Sequence, residues 1–386
     1  MIVVMADDLT GAAELAGIGL RYNLTVEMNT VVLYDTDAEL LVIATDTRSM
    51  KEDEAIAEIE KITNEVMLLQ PQLVFKKIDS VLRGHIIAEI KTQLKILDKP
   101  KALVVAANPS LGRTIVNGNY FYNNEPIHLS SFSKDPEFAI KNSYVLKMLR
   151  TNDENVMVKN IGDTILEEGT FIADVSNDND LRSWADKVDD NIFPVGGSDF
   201  FSAILTSSGN KINTAKNKMN DKPRQSILFV SGTTFDKSRQ SIKEIKNDNG
   251  PVSYMPVEVI ALKKFDAEIF QLWCNEIVAF IHSTGKAIIA LDAETIMDTG
   301  ISAKMLREKT AHIVAEVFKQ VHVSEMFIEG GSTAAAIIQA LGFKSFIPFE
   351  ELSRGVVRMK VKEVEDLFIT VKPGSYNWPS DIWNFE

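Results

Sequence analysis

Residues 2–22, IVVMADDLTGAAELAGIGLRY, join an apolar run to a helical pattern through Asp7, Asp8, Leu9, Thr10 and Gly11. An apolar run that stops at acid, hydroxyl and glycine and then resumes with helical periodicity reads as a buried parallel strand delivering side chains to a cleft. The junction recurs. LLVIA leads to Thr45, Asp46, Thr47 and Arg48; LVF leads to Lys76, Lys77, Ile78, Asp79, Ser80 and Arg83; ALVVAA leads to Asn108, Pro109, Ser110, Gly112, Arg113 and Thr114. Binding groups of an open α/β sheet collect beyond the carboxyl ends of its strands, so these clusters are expected to face one cavity. Capping, turns and surface ion pairs are the plain alternative for any one of them.

A length of 386 residues favours two domains, since one core stops growing near ~250–300 residues. Hydrophobic residues at 45% and charged residues at 25% provide ample material for both cores. The division is expected in SSGNKINTAKNKMNDKPR, residues 207–224, which has almost no apolar content and ends in a proline-bearing turn. That gives an N-terminal domain over 1–220 and a C-terminal domain over 221–386. Beyond it, SILFVSG, AIIALD, MFIEGG and LFITVKPG form a second set of apolar runs ending in small or polar residues. The expected fold class is α/β: two α/β domains with mostly parallel sheets facing an interdomain cleft.

Composition removes several function classes. Cys274 is the only cysteine, so no disulfide forms within the chain, and its QLWCNEI setting reads as a helix interior. His85, His128, His282, His312 and His322 lack zinc-ligand spacing. A formal charge of −13 opposes nucleic-acid or anionic-membrane partners, so an anionic ligand must be held locally. The start MIVVMADD lacks a basic flank and no run approaches the ~20 apolar residues of a membrane span, which makes a cytoplasmic location the expectation. KMLREKTAHIVAEVFK, residues 304–319, suits a core helix or a subunit contact, leaving a homo-oligomer open.

The two halves end their strands differently. Asp, Arg, Lys and Ser in the first half suit a small polyhydroxylated anion: carboxylates accept hydroxyl protons and guanidinium groups fork a carboxylate. The second half ends in Ser231-Gly232-Thr233-Thr234, Gly330-Gly331-Ser332-Thr333 and Lys372-Pro373-Gly374, small residues that let a phosphate or nucleotide approach the backbone. Within MFIEGGSTAAAIIQALG, the helix start would stabilise phosphate oxygens; a steric glycine turn with Ser332 or Thr333 as N-cap is the alternative. Lys372 either adds positive charge there or is simply solvated. Neither GxxxxGK[ST] nor an opening GxGxxG occurs, and the Asp7-Asp8 pair lacks the alternating aspartates of a haloacid-dehalogenase phosphatase.

Taken in order, DDLTGAAELAG, TDTRS, KKIDSVLRG, NPSLGRTIVNGNYFYNNEPI with Asp135-Pro136, SGTT, GGSTAAAIIQALG and VKPG span almost the whole chain. The set resembles the four-carbon acid sugar kinases, which phosphorylate threonate, erythronate or 3-oxo-tetronate. The chain departs from the family pattern at His85, Ser332, Thr233-Thr234-Phe235 and Ser375-Tyr376-Asn377-Trp378. The resemblance implies an N-terminal sugar-acid domain, a C-terminal ATP domain, and Mg²⁺ accompanying ATP. It implies substrate contact by Asp8, Arg48, Lys77, Asp79, Ser80, Arg83 and Arg113, with Arg48 or Arg83 forking the carboxylate. Asp8 or Asp79 would be the catalytic base, their alternative role being to N-cap a helix, which for Asp79 would start near Val81. Ser231, Gly330, Gly331, Thr333 and Gly374 would contact ATP. A sugar-acid sensor that has lost transfer, or a Mg²⁺-dependent phosphatase, are the competing functions.

Overall fold

In the computed structural model, residues 1–134, 139–212, 226–232, 236–262, 266–292, 301–374, 376–379 and 382 are described. Asp135, Pro136, Thr233, Thr234, Phe235, Ser375 and most of the 207–224 connection lie outside them. The chain divides into two compact units, Met1–Thr214 and Ala215–Glu386.

The first unit carries β1 (Ile2–Ala6), β2 (Val26–Asn29), β3 (Leu40–Ala44), β4 (Leu73–Lys77), β5 (Lys101–Val105), β6 (Arg113–Val116), β7 (Asn119–Tyr122), β8 (Glu125–Pro126), β9 (Val156–Lys159), β10 (Gly169–Ala173) and β11 (Ile192–Gly196). Its main sheet runs β2-β3-β1-β4-β11-β5-β10-β9, every pair parallel. Such strands are buried on both faces, which is why they read as continuous apolar runs. Register does the positioning: Ala6 is level with Ala44 and Lys77, Lys77 with Gly196, and Gly196 with Val105. The polar residues that follow β1, β3, β4 and β5 therefore leave one edge of the sheet. From β1 the chain builds β2 and β3 on one side and then crosses to β4 on the other, so β1 and β4 flank a topological switch point, the place where such sheets bind ligands.

The helix Leu9–Arg21 returns from β1 with nearly every side chain of its first three turns buried. Gly19 rests on Leu40 and Val26, where a Cβ would approach to 2.5 and 2.8 Å. Phe75 of β4 packs on Phe200 and Phe201 of the helix Ser198–Ser207 at 6.1 and 5.0 Å between ring centroids.

Strand-helix alternation does not announce the antiparallel ribbon β6-β7-β8. Its signal is turn chemistry. Asn117-Gly118 (φ 48° and 70°) and Asn123-Asn124 (φ 50° and 66°) hold consecutive positive φ angles, as two-residue hairpins require.

The second unit carries β12 (Ile227–Ser231), β13 (Val252–Tyr254), β14 (Lys286–Ala290), β15 (Glu325–Glu329), β16 (Ser345–Ser353), β17 (Val356–Val361) and β18 (Phe368–Lys372). The order is β13-β14-β12-β15-β18-β17-β16, parallel as far as β18 and antiparallel thereafter. Ser231, Glu329 and Lys372 are level at the carboxyl edge. Phe229 and Phe327 stack at 4.6 Å, with Trp378 edge-on to Phe327 at 5.7 Å. Cys274 is buried in the helix Ala267–Thr284, as its sequence setting implies. The expectation of an α/β fold with mostly parallel sheets is met.

Glu325 on β15 and Arg358 on β17 form a buried fork, Arg358 Nε to Glu325 Oε1 and Nη2 to Oε2 both at 2.8 Å, with the guanidinium carbon 4.2 Å from the Phe368 ring centroid. Arg358→Met strands a buried carboxylate and is expected to destabilise the unit by about 3–5 kcal/mol, whereas Arg358→Met with Glu325→Leu recovers most of that loss. Urea unfolding of both variants checks this; a double variant as unstable as the single one would refute it.

Candidate active site

At the switch point, the side chain of Asp8 turns back on the helix it begins. Its backbone is extended (φ −145°, ψ 159°), and Oδ1 accepts from Gly11 N at 3.0 Å, an N-cap as one reading of the sequence expects. A Cβ on Gly11 would lie 2.4 Å from that oxygen, so the close approach needs glycine. Thr10 Oγ1 donates to Asp8 Oδ2 at 2.6 Å.

Arg48 follows β3 and binds both aspartates of β1. Its Nε and Nη2 fork Asp7 at 3.0 and 2.8 Å, Nη2 also donates to Asp8 Oδ1 at 2.8 Å, and Nη1 lies 3.8 Å from Asp79. Asp79 follows β4 and is forked by Arg83, Nε to Oδ2 at 2.6 Å and Nη2 to Oδ1 at 2.9 Å, with Arg83 N also donating to Oδ2. This turn holds Leu82 at φ 62° and Gly84 at φ 96°; the leucine is strained there, a feature that gathers at functional sites. Asp79 caps no helix, because the next helix, Ile86–Ile96, begins after His85. His85 itself points to the Arg48 loop, its Nε2 2.8 Å from Met50 O.

Ser80 connects this network to the ribbon. Arg113 Nη1 donates to Ser80 Oγ at 2.6 Å, Tyr120 Oη donates to Ser80 O at 2.5 Å, and the Arg113 guanidinium lies over the Phe132 ring at 5.4 Å. Lys77 Nζ donates to Ile78 O at 2.9 Å. Asp8, Arg48, Lys77, Asp79, Ser80, Arg83 and Arg113 are thus gathered at one strand edge. Burial opposes ionisation of Asp8, yet Arg48 and then Lys77 hold its carboxyl below the usual range. Burial likewise opposes the charge of Asp79, and Arg83 with Arg48 hold it far lower. Arg48 keeps its proton against burial through Asp7, Asp8 and Asp79. Both candidate bases are therefore anionic at neutral pH.

Asp7 was not singled out as a site residue, although it takes the Arg48 fork while Asp8 takes a single bond. Only its doublet with Asp8 at a strand end could have marked it. Tyr120 was hidden for a different reason, since the ribbon that carries it is set by turn residues.

In the second unit, Glu329 ends β15 as a carboxylate only 1% exposed. It accepts from Ser231 Oγ at 3.3 Å, Ser238 Oγ at 2.6 Å and Lys372 Nζ at 2.5 Å, tying three chain segments together. Lys372 is fully buried rather than solvated, and also donates to the carbonyls of Pro373 and Tyr376. Burial lowers the Lys372 pKa and Glu329 opposes that shift. Three oxygen acceptors leave this ammonium little capacity for a phosphate.

The helix Gly331–Leu341 starts behind Gly330, which holds φ 103° and serves as N-cap, so neither Ser332 nor Thr333 takes that place. The helix has no side-chain cap and no acid in its first turn, leaving its first N–H groups and positive dipole end suited to phosphate oxygens. A Cβ on Gly232 would come within 1.9 Å of Thr333 Oγ1, and Gly330 N donates to Lys372 O at 2.9 Å. Ser231, Gly330, Gly331 and Thr333 are brought together, with Gly374 two residues after Lys372. Glu329, which organises them, was missed; its only sequence signal is an acid closing the apolar run MFI.

Residues 2–204 match the family described as a sugar-binding N-terminal domain, and residues 228–376 the one described as a nucleotide-binding C-terminal domain. D-threonate kinase of Salmonella typhimurium is 22% identical to this chain over 423 aligned positions, covering 99% of the chain and 96% of the relative. D-erythronate kinase of Heliobacterium modesticaldum is 23% identical, covering 88% and 85%. A crystal structure of a Haemophilus influenzae protein of family DUF1537 superposes with a TM-score of 0.72 at 19% identity, covering 97% of each chain, and shows the same fold. With the sugar-binding description alone spanning more than half its length, the chain belongs to the four-carbon acid sugar kinase family, a sugar-binding N-terminal domain followed by a nucleotide-binding C-terminal domain.

Proposed function

We propose that this protein transfers the γ-phosphoryl group of ATP to a hydroxyl, the terminal one, of a four-carbon sugar acid of the threonate, erythronate or 3-oxo-tetronate type. The observation that carries the reading is the Asp8-Arg48-Asp79-Arg83 network at the switch point of a parallel sheet, next to Lys77, Ser80 and Arg113. Hydroxyl groups need carboxylate acceptors and ammonium or hydroxyl donors, and a carboxylate needs a guanidinium; all are present at one edge. The N-terminal domain, residues 1–220 in our division, would hold the acid, and the C-terminal domain, residues 221–386, would hold ATP.

Asp8 is the better placed of the two candidate bases. Both oxygens of Asp79 are engaged by Arg83, whereas Asp8 Oδ2 meets the Thr10 hydroxyl, a partner that a substrate hydroxyl can replace. A depressed pKa makes Asp8 a weak base, which suits phosphoryl transfer: the transition state is loose, and the carboxylate chiefly orients the attacking hydroxyl. Ser231, Gly330, Gly331, Thr333 and Gly374 would cradle the phosphates through backbone donors and the helix start. Mg²⁺ carried by the triphosphate would neutralise its charge. Among the described residues no group of three or more His, Cys, Asp or Glu side chains is placed to hold a metal. No helix among them is long and apolar enough to cross a membrane.

ADP release with Mg²⁺ and ATP across a panel of four-carbon sugar acids and larger homologues tests the reading. One four-carbon acid is expected to stand out; ATP binding with no turnover of any acid would favour a sensor instead. Asp8→Asn is expected to lower kcat about 10²- to 10⁴-fold, while Asp79→Asn, which frees Arg83, raises KM more than it lowers kcat. Because Asp8 is held ionised, kcat/KM should not show a carboxylate limb between about pH 7 and 5; the stability these carboxylates contribute is present above ~3.9 and is lost as pH falls through their depressed values. Full turnover by Asp8→Asn would remove it as the base.

A further inference from the structure

Three guanidinium groups stand at the first site, and they are not equivalent. Arg48 already forks Asp7 and bonds Asp8. Arg83 already forks Asp79. Arg113 is different: it is 9% exposed, its Nη1 donates to a neutral hydroxyl, that of Ser80, and its Nε is buried with no hydrogen-bond partner. Among the described residues it has no carboxylate partner. Asp199, an acid in the same region, accepts instead from the backbone N and the Oγ of Ser110.

A buried guanidinium that lacks an anion is unfavourable in a folded protein unless a ligand supplies one. The residue is also held in place. Arg113 N donates to Asn108 O at 3.1 Å, the residue pairs with Tyr122 across the ribbon, and Gly112 before it turns at φ 68°, where a Cβ would meet Asn123 Oδ1 at 2.0 Å. Phe132 covers one face of the guanidinium, and Tyr120 Oη fixes Ser80 through its carbonyl. A rigid, desolvated fork with an unused donor edge is suited to one planar anion.

Resting on the function proposed above, we infer that Arg113 is the group that receives the carboxylate of the sugar acid, and that Arg48 and Arg83 are positioning residues that orient Asp7, Asp8 and Asp79. Arg113 is then the specificity determinant for an acid over its uncharged counterpart. The Nε–Nη2 edge of each of the two outer arginines is already taken by an aspartate that defines the site.

The test compares a four-carbon sugar acid with its primary amide, using the full chain and Arg113→Met and Arg113→Lys variants. Arg113→Met is expected to leave the thermal midpoint of the ligand-free protein unchanged or raise it, since an unpaired buried charge is removed. It should lower kcat/KM for the acid about 100-fold or more, mainly through KM, with little change for the amide, so that the preference for acid collapses. Arg113→Lys, which keeps charge without the fork, should fall between. Equal losses on acid and amide, retained acid preference, or a lowered midpoint in the ligand-free protein would each overturn the inference. Calorimetric titration of acid and amide without nucleotide makes the same comparison independently of transfer. An acid that binds in an Arg113-dependent way but is never phosphorylated would overturn the kinase reading and leave this inference standing, whereas acid and amide bound equally by wild type and Arg113→Met would overturn it.

Discussion

One guanidinium joins three strand ends. Arg48 arrives after β3, forks Asp7 after β1, bonds Asp8 beside it, and stands 3.8 Å from Asp79 after β4. Without it, three carboxylates would be gathered in a buried space with mutual repulsion and no shared counter-charge, and burial would push Asp8 and Asp79 toward protonation. With it, Asp8 and Asp79 are held ionised and all three side chains are fixed. The parallel register of β3, β1 and β4 brings the groups level, and the charge network turns that level edge into a defined arrangement of acceptors.

The second unit uses the opposite polarity. There a single buried carboxylate, Glu329, collects two hydroxyl groups and an ammonium from the segments that surround it. The small residues beside it keep their backbone accessible because the polar side chains are engaged with one another. Gly330 holds φ 103°, a backbone conformation that L side chains rarely adopt, and at Gly232 a Cβ would collide with Thr333. In both units, strand ends supply the groups and a buried ion of one sign holds them.

Much of this was legible in the sequence because parallel strands advertise themselves. IVVMA, LLVIA, LVF and ALVVAA are β1, β3, β4 and β5 almost residue for residue, and the polar clusters after them meet at the candidate site. The partners within the site were not legible. That Arg48 takes Asp7 rather than a ligand, or that Lys372 is buried on Glu329 rather than solvated, depends on distances between segments remote in sequence. The ribbon β6-β7-β8 and the antiparallel β16 and β17 were missed because two-residue turns, not apolar periodicity, define them. Asp79 was offered a helix cap that it does not make, since Leu82 and Gly84 delay the helix to Ile86.

With the acid's carboxylate on the Arg113 guanidinium and its far hydroxyl on Asp8, as proposed, the position of the new phosphate is the most direct test. Proton-coupled phosphorus NMR of the product formed from ATP and the preferred four-carbon acid reads that position. A phosphomonoester split by the two protons of the terminal carbon is expected. An acyl phosphate on the carboxylate, or inorganic phosphate alone, would contradict it.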